Sequence, residues 1–188
     1  MDKKEFLKTY FNNLKQLINF EDETISKIIQ TCDLLLESKK KGKKNLIFGN
    51  GGSAAIASHF SVDLTKNAKV RCTNYNESDL ITCFSNDFGY EKWIEKSIEY
   101  YSDVGDNVIL ISASGMSLNM INGAKKAKEK KNKIITFSGN LKTNELKKFG
   151  DINFWVNSKS YNHIENVHQM ILLSLVDLII GKAVYSPN

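Results

Sequence analysis

The sequence is poor in proline, which bears on its domain organisation. Among 188 residues there is one proline, Pro187, and no long polar tract interrupts the chain. Linkers between domains are commonly rich in proline, glycine and polar residues. We therefore predict a single domain over residues 1–188, in which N-terminal helices occupy 1–42 and an α/β core occupies 43–188.

Cysteine is also scarce, and the three cysteines, Cys32, Cys72 and Cys83, have no CxxC spacing. An odd number without this spacing argues against a disulfide framework and against a cysteine-based metal cluster. The first five residues, MDKKE, are mostly charged, and no apolar segment typical of a signal peptide follows them. We therefore expect reduced thiols and a cytoplasmic protein.

No apolar run is long enough to cross a membrane. The longest, 170–180, contains Ser174 and Asp177 and predicts a buried helix instead. Basic residues outnumber acidic ones by 26 to 21, giving a net charge of +5, and lysines cluster at 39–44 and 125–133. Because no aromatic residues alternate with these lysines, we interpret them as solvated helix ends and expect neither a nucleic-acid partner nor a membrane.

Helical and strand patterns alternate along the chain. Residues 4–20 and 22–38 have apolar side chains at helical spacing and predict an N-terminal helical pair, which can cover its own sheet or contact another subunit. Apolar runs of strand length follow at 45–48, 70–75, 107–112, 133–138 and 152–156, and helical segments separate them at 54–66, 87–101, 118–130 and 162–180. This alternation predicts an α/β fold with a flavodoxin-like, doubly wound, five-stranded parallel sheet.

Two loops rich in glycine or serine each follow an apolar strand and precede a helix: 48–53 (FGNGGS) and 112–117 (SASGMS). Glycine lets the backbone approach a ligand, Ser53 is a good N-cap residue, and free N–H groups at a helix start attract anions. Each loop alone is also explained by a plain turn with a serine cap. Two such loops at strand ends favour a phosphate site, and the absence of GxGxxG and GxxxxGK[ST] argues against a nucleotide cofactor.

Two further motifs carry candidate polar groups. His59 and Asp63 are four residues apart on the helix after the first loop, a spacing that places both on one helix face. Asn86 and Asp87 begin the sequence NDFG at 86–89, where Asp87 is a candidate cap for the next helix. The plain alternatives are packed or solvated helix residues.

In this order, GNGGS, HFxxD, NDFG and SxSGxS resemble the phosphoheptose isomerases of the SIS (sugar isomerase) family. The resemblance spans nearly the whole chain. It implies an aldose–ketose isomerase that converts sedoheptulose 7-phosphate into D-glycero-D-manno-heptose 7-phosphate for the heptose of lipopolysaccharide or capsule. It also implies a cytoplasmic homotetramer, commonly with zinc, whose sites form between subunits.

The resemblance assigns the sugar phosphate to specific residues. The serine loop would hold the phosphate, the glycine loop would line the sugar chain, and the NDFG segment would lie beside them. The implied substrate-binding residues are Ser112, Ala113, Ser114, Ser117, Asn50, Gly51, Gly52, Ser53, Asn86, Asp87 and Glu165. Ala113 stands where the family usually has threonine, which removes one hydroxyl group.

The candidate catalytic residues depart from the family pattern. Asp63 stands where the family has glutamate, and Glu165 stands where it has glutamine. Leu173 stands where the family has a histidine that serves as a zinc ligand and as an acid or base. Isomerisation through an enediol needs a base, and an acid or metal to polarise the carbonyl. We expect the fold to bring Asp63 and Glu165 close together as this pair, or to place them with His59 around zinc. His168 matches a different family histidine and is equally well explained as a buried, hydrogen-bonded residue.

The missing histidine leaves a second hypothesis open. The chain could be a non-catalytic phosphosugar-binding SIS protein of the regulatory kind that assists the DNA-replication initiator. His59, an acidic residue at position 63 and the additional carboxylate of Glu165 favour the enzyme.

Overall fold

In the computed structural model, which describes residues 1–186, five parallel strands form the centre of the molecule. They are β1 (Asn45–Gly49), β2 (Cys72–Asn74), β3 (Asn107–Ser112), β4 (Lys133–Ser138) and β5 (Ile152–Trp155). The helices are α1 (Lys3–Leu17), α2 (Asp22–Lys40), α3 (Gly52–Lys66), α4 (Ser78–Phe88), α5 (Trp93–Tyr101), α6 (Leu118–Glu129) and α7 (Tyr161–Ile180). The order in the sheet is β2-β1-β3-β4-β5. This confirms the predicted flavodoxin-like, doubly wound sheet.

Both faces of the sheet are covered, which is why its strands are almost continuously apolar. On one face, side chains such as Ile47 and Ile109 pack against α2, α3 and α7. On the other face, Leu46 and Leu110 pack against α5 and α6. Burying each of these side chains contributes about 1.5–3 kcal/mol.

The segment between β2 and β3 differs from the prediction of one helix over 87–101. It contains α4, a 3₁₀ helix at Tyr90–Lys92, and α5. Gly89, with φ of 92°, ends α4, because few other residues adopt this backbone conformation. Asp87 therefore lies in the last turn of α4, and its predicted role as the cap of the following helix is wrong. The apolar stripe of α4 is too short and too exposed to have been conspicuous in the sequence.

The N-terminal helical pair is present, but its two members have different environments. Helix α2 packs on the sheet through Ile28, Cys32 and Leu35. Helix α1, by contrast, has no fully buried residue, although Leu14 and Leu17 are partly buried against the core. Phe6 and Phe11 of α1 remain 50% and 59% exposed.

Helix α7 is the one described helix that is long and apolar enough to cross a membrane. Ile164, Val167, Ile171 and Leu175 are buried in the core beside α2 and α3. This packing is that of a core helix, in agreement with the predicted burial of the 170–180 run.

Candidate functional site

The two candidate loops meet at the carboxyl edge of the sheet. Strands β1 and β3 are neighbours, with Gly49 in register with Ile111. The helix that follows β1 covers one face of the sheet, and the helix that follows β3 covers the other. A crevice between two such connections is the usual ligand site of a doubly wound sheet.

The serine loop, residues 112–117, gathers three hydroxyl groups at the start of α6. The Oγ of Ser112 is 3.5 Å from that of Ser114 and 3.2 Å from that of Ser117. The N–H of Met116 donates to Ser114 Oγ at 3.2 Å. Ser117 is the N-cap residue of α6, yet its hydroxyl makes no capping bond with a described residue. Hydroxyl donors beside an uncapped helix start suit a phosphate group.

The serine loop is supported by the connection between β4 and β5. Gly115 has a φ of 66°, and a Cβ added there would overlap the side chain of Asn144. The N–H of Leu146 donates to the Gly115 carbonyl at 3.0 Å. Asn144 is buried, and its Nδ2 donates to Ser138 Oγ at 3.0 Å. Glycine is therefore required at position 115 for both its backbone conformation and its lack of a side chain.

Ala113 lies in the same loop with its side chain in the apolar core, 6% exposed. Its carbonyl accepts a hydrogen bond from the N–H of Gly139 at 3.0 Å. Any contact of Ala113 with a substrate would therefore involve its backbone.

The glycine loop, residues 49–53, starts helix α3 without a side-chain cap from any residue in 1–186. Gly51, with φ of 54°, is the N-cap residue. Ser53 lies one residue inside α3 and is buried, so its predicted role as the cap is wrong. A Cβ on Gly49 would overlap the backbone of Ser53, which explains the need for glycine at this position.

The glycine loop is linked to α6 by a pair of amides. Asn50 Nδ2 donates to Asn119 Oδ1 at 3.0 Å, and Asn119 Nδ2 donates to Asn50 Oδ1 at 2.9 Å. The hydroxyl of Tyr90 donates to the same Asn50 oxygen at 3.2 Å. Asn119 and Tyr90 are site residues that the sequence analysis missed.

Glu165 extends from the first turns of α7 to the start of α3. A Cβ built on Gly52 would lie 2.8 Å from Glu165 Oε1 and would overlap Oε2. Desolvation raises the pKa of the Glu165 carboxyl group above its ordinary value. The carboxyl group therefore borders the glycine loop and holds a proton more readily than a solvated glutamate does.

His59 and Asp63 form a pair on the exposed side of α3, with 3.2 Å between Nε2 and Oδ2. Asp63 is eleven residues beyond Gly52 in α3, a rise of roughly 16 Å along the helix. The carboxyl group of Glu165 lies against Gly52, at the opposite end of α3 from Asp63. The expectation that one subunit brings Asp63 and Glu165 together is therefore wrong.

A model of the SIS domain family matches residues 9–139. The chain belongs to the SIS domain family. It is 32% identical over 180 residues to the phosphoheptose isomerase of Buchnera aphidicola subsp. Acyrthosiphon pisum, covering 90% of this chain and 89% of that protein. It is 34% identical over 173 residues to the phosphoheptose isomerase of Aliarcobacter butzleri, covering 84% of this chain and 90% of the relative.

Solved structures agree with this assignment. The structure of a phosphoheptose isomerase from Neisseria gonorrhoeae superposes with a TM-score of 0.86 at 25% identity, covering 94% of this chain and 98% of that one. That from Francisella tularensis also has a TM-score of 0.86 at 25% identity, covering 97% and 100%. The predicted membership of the phosphoheptose isomerase branch of the SIS family is confirmed.

Zinc, which the SIS resemblance implies, does not fit the donors of a single subunit. Across residues 1–186 no group of three or more His, Cys, Asp or Glu side chains could hold a metal ion. His59 and Asp63 supply two neighbouring donors, and Glu165 lies at the other end of α3. The predicted ligand set His59, Asp63 and Glu165 is therefore not assembled within one subunit.

His168 is a core residue of this SIS domain. It is fully buried, and its Nε2 lies 3.1 Å from the carbonyl oxygen of Ser138. Burial lowers the pKa of His168 to about 4, so its ring is neutral at physiological pH. The structure supports the interpretation of His168 as a buried, hydrogen-bonded histidine.

Asn86 and Asp87 lie on the exposed surface of α4, where Asn86 Nδ2 donates to Asp87 Oδ1 at 3.0 Å. Their segment is joined to the glycine loop through Tyr90 rather than through their own side chains. Contact of Asn86 and Asp87 with a substrate stays a prediction.

Proposed function

We propose that the protein is an isomerase that converts sedoheptulose 7-phosphate into D-glycero-D-manno-heptose 7-phosphate, a precursor of lipopolysaccharide or capsule heptose. The observation that carries the proposal is the convergence of the serine loop, the uncapped start of α3 and the desolvated carboxyl group of Glu165 at the edge of the sheet. Relatives named phosphoheptose isomerase support the choice of substrate.

In this proposal the phosphate binds the hydroxyl groups of Ser112, Ser114 and Ser117 and the N–H groups at the start of α6. The sugar chain extends across Asn50 and Gly52 toward Glu165. Although the phosphate binds away from the reacting carbons, its binding fixes the position of these carbons relative to the proton-transfer group.

The reaction moves one proton between adjacent carbons. A base removes a proton from C1 of the ketose, and the C1–H electron pair forms the C1–C2 double bond of an enediol as the C2 carbonyl oxygen gains a proton. Loss of the O1 proton then restores a carbonyl group at C1, and C2 receives a proton. We assign proton transfer at carbon to Glu165, because a carboxylate with a raised pKa is a stronger base.

Asp63 is proposed as the second proton-transfer group, in a site shared between subunits. A residue roughly 16 Å along α3 from Gly52 cannot reach its own glycine loop, so Asp63 of the partner subunit would serve each site. The exposed His59 and Asp63 pair on α3, together with the exposed side chains of Phe6 and Phe11 on α1, supports an oligomer, and the family resemblance favours a tetramer. Light scattering coupled to size-exclusion chromatography tests this oligomeric state.

No step of the proposed reaction is assigned to zinc. A metal ion on His59 and Asp63 would take its remaining ligands from another subunit, and zinc stays a prediction. Metal analysis of the purified protein, combined with activity before and after chelation, tests it. Location in the cytoplasm is likewise a proposal, supported by the unpaired state of Cys32, Cys72 and Cys83, and cell fractionation tests it.

A phosphosugar-binding protein without turnover is the second candidate. Leu173, on α7, offers no proton or metal ligand where the family has histidine, and Asp63 of the same subunit lies at the opposite end of α3 from Glu165. Purified protein should be incubated with sedoheptulose 7-phosphate alongside Glu165→Gln and a control, Glu37→Gln, an exposed change on α2. Turnover that only Glu165→Gln abolishes supports the isomerase, whereas sugar-phosphate binding without turnover in any form selects the binding protein.

A further inference from the structure

The hydrogen bonds around Asn50 have a defined direction. An asparagine amide can be turned by 180° with little change in shape, so its orientation must come from its partners. The backbone N–H of Met120 donates to Asn119 Oδ1 at 3.0 Å, and a backbone N–H can only donate. This bond fixes which end of the Asn119 amide is oxygen, and Asn119 in turn fixes the orientation of Asn50.

Tyr90 is compatible with the same orientation, because its hydroxyl group can donate to the Asn50 oxygen. Its hydroxyl donates to Asn50 Oδ1 at 3.2 Å, next to the bond from Asn119 Nδ2 to that oxygen at 2.9 Å. The Asn50 oxygen therefore has two donors, which matches its two lone pairs.

One hydrogen-bonding group of the Asn50 amide remains free. Its Nδ2 has two hydrogens, of which one is donated to Asn119 Oδ1 at 3.0 Å. The other is donated to no residue in the part of the chain that the structure describes. Asn119 is 2% exposed and cannot itself contact a ligand, while Asn50 lies at the edge of the crevice.

We propose that Asn119, assisted by Tyr90, is a positioning residue that makes Asn50 present an N–H group, and not a carbonyl, to the sugar. The identity of the sugar rests on the proposed function. The substrate atom that contacts Asn50 is then a hydrogen-bond acceptor, a hydroxyl or carbonyl oxygen. A fixed N–H donor stabilises negative charge that develops on such an oxygen during enediol formation, and it needs no reorientation at that moment.

The test uses two uncharged substitutions. Asn119→Leu is close in size and removes the amide pair, whereas Tyr90→Phe removes a single hydroxyl group from an exposed ring and does not threaten folding. We expect Asn119→Leu to lower kcat/KM for sedoheptulose 7-phosphate about 10- to 100-fold, mostly through kcat, because a small misplacement of a reacting group costs rate. Tyr90→Phe should give a smaller loss in the same direction.

Inorganic phosphate separates positioning from a general structural effect. Its inhibition constant depends chiefly on the hydroxyl groups of Ser112, Ser114 and Ser117, which neither variant removes, so this constant should change much less than kcat/KM in both variants. The matched control is Asn122→Leu on the same helix, which removes a bond to the carbonyl of Glu91, next to Tyr90, and should lower kcat/KM no more than Tyr90→Phe does. Unchanged kcat/KM in Asn119→Leu, or an equal loss of phosphate inhibition, overturns the proposal.

A second measurement does not depend on turnover. In side-chain amide NMR spectra, exchange of the bonded Asn50 hydrogen with water should be slow in the wild type and faster in Asn119→Leu. Fast exchange in both proteins contradicts the network itself. Absence of turnover in the wild type with slow exchange would instead refute the proposed isomerase while leaving the positioning network intact.

Discussion

Replacing Gly52 by alanine should lower activity without lowering the stability of the fold. Gly52 is the first residue of α3 and has an ordinary helical backbone, since the glycines with positive φ lie at other positions. The new Cβ would lie 2.8 Å from Glu165 Oε1 and would overlap Oε2, so the carboxyl group must move away. A displacement of roughly 1 Å is enough to cost about 100-fold in rate.

Stability should change little in the same variant. Alanine favours the helix over glycine by up to about 1 kcal/mol, and Glu165 can rotate into solvent at small cost. We expect kcat/KM for sedoheptulose 7-phosphate to fall about 100-fold, with a free energy of unfolding within about 1 kcal/mol of wild type. Activity is measured by steady-state kinetics and stability by urea denaturation.

The control is Gly42→Ala, which should lower stability without lowering activity. Gly42 has a φ of 66° with open space around it, so alanine there costs about 1–2 kcal/mol of backbone strain without touching the site. In the double variant Gly52→Ala with Glu165→Gln, the two activity losses should not add, because both remove the same carboxylate. Wild-type kinetics in Gly52→Ala, or fully additive losses, would refute the assignment of Glu165 to proton transfer.

Three other substitutions test separate parts of the structure. Desolvation raises the pKa of Glu165 in the folded protein, so the stability contributed by its protonated form is full below the ordinary glutamate pKa and is lost as pH rises through the raised pKa. In denaturation curves, the variant Glu165→Gln should therefore gain stability relative to wild type as pH increases. The same raised pKa should move the acidic limb of the kcat/KM profile above that of an ordinary glutamate. Gly115→Ala should destabilise the protein by at least about 1–2 kcal/mol and weaken inhibition by inorganic phosphate, since alanine is strained at φ 66° and overlaps Asn144. Phe11→Asp should reduce the mass measured by light scattering if the exposed side of α1 is a subunit contact, and an unchanged mass would contradict that.

Regular features of the fold could be predicted from the sequence. Strands β1, β3 and β4 are buried on both faces and appear as apolar runs, and each of the two loops follows one of these strands directly. Helix α4 was missed because its apolar side is short and half exposed, and because the positive φ of Gly89 divides the helical pattern. Local sequence signals weaken where an element covers little of the core.

The site was predictable only in part, for a physical reason. Helical spacing correctly placed His59 and Asp63 on one face of α3. It cannot predict how far Asp63 lies from Glu165, which belongs to a different helix. The contact of Glu165 with Gly52 and the pairing of Asn50 with Asn119 join segments far apart in the chain. Such contacts depend on tertiary packing, which periodicity does not report.

The central claim is that this SIS domain catalyses proton transfer on a bound sugar phosphate. The most direct measurement is an NMR time course of purified protein with sedoheptulose 7-phosphate, in parallel with Glu165→Gln. The proposal predicts that the aldose appears with the wild type and is abolished or strongly reduced in the variant. Saturable binding of the sugar phosphate with no aldose formed by the wild type would contradict it.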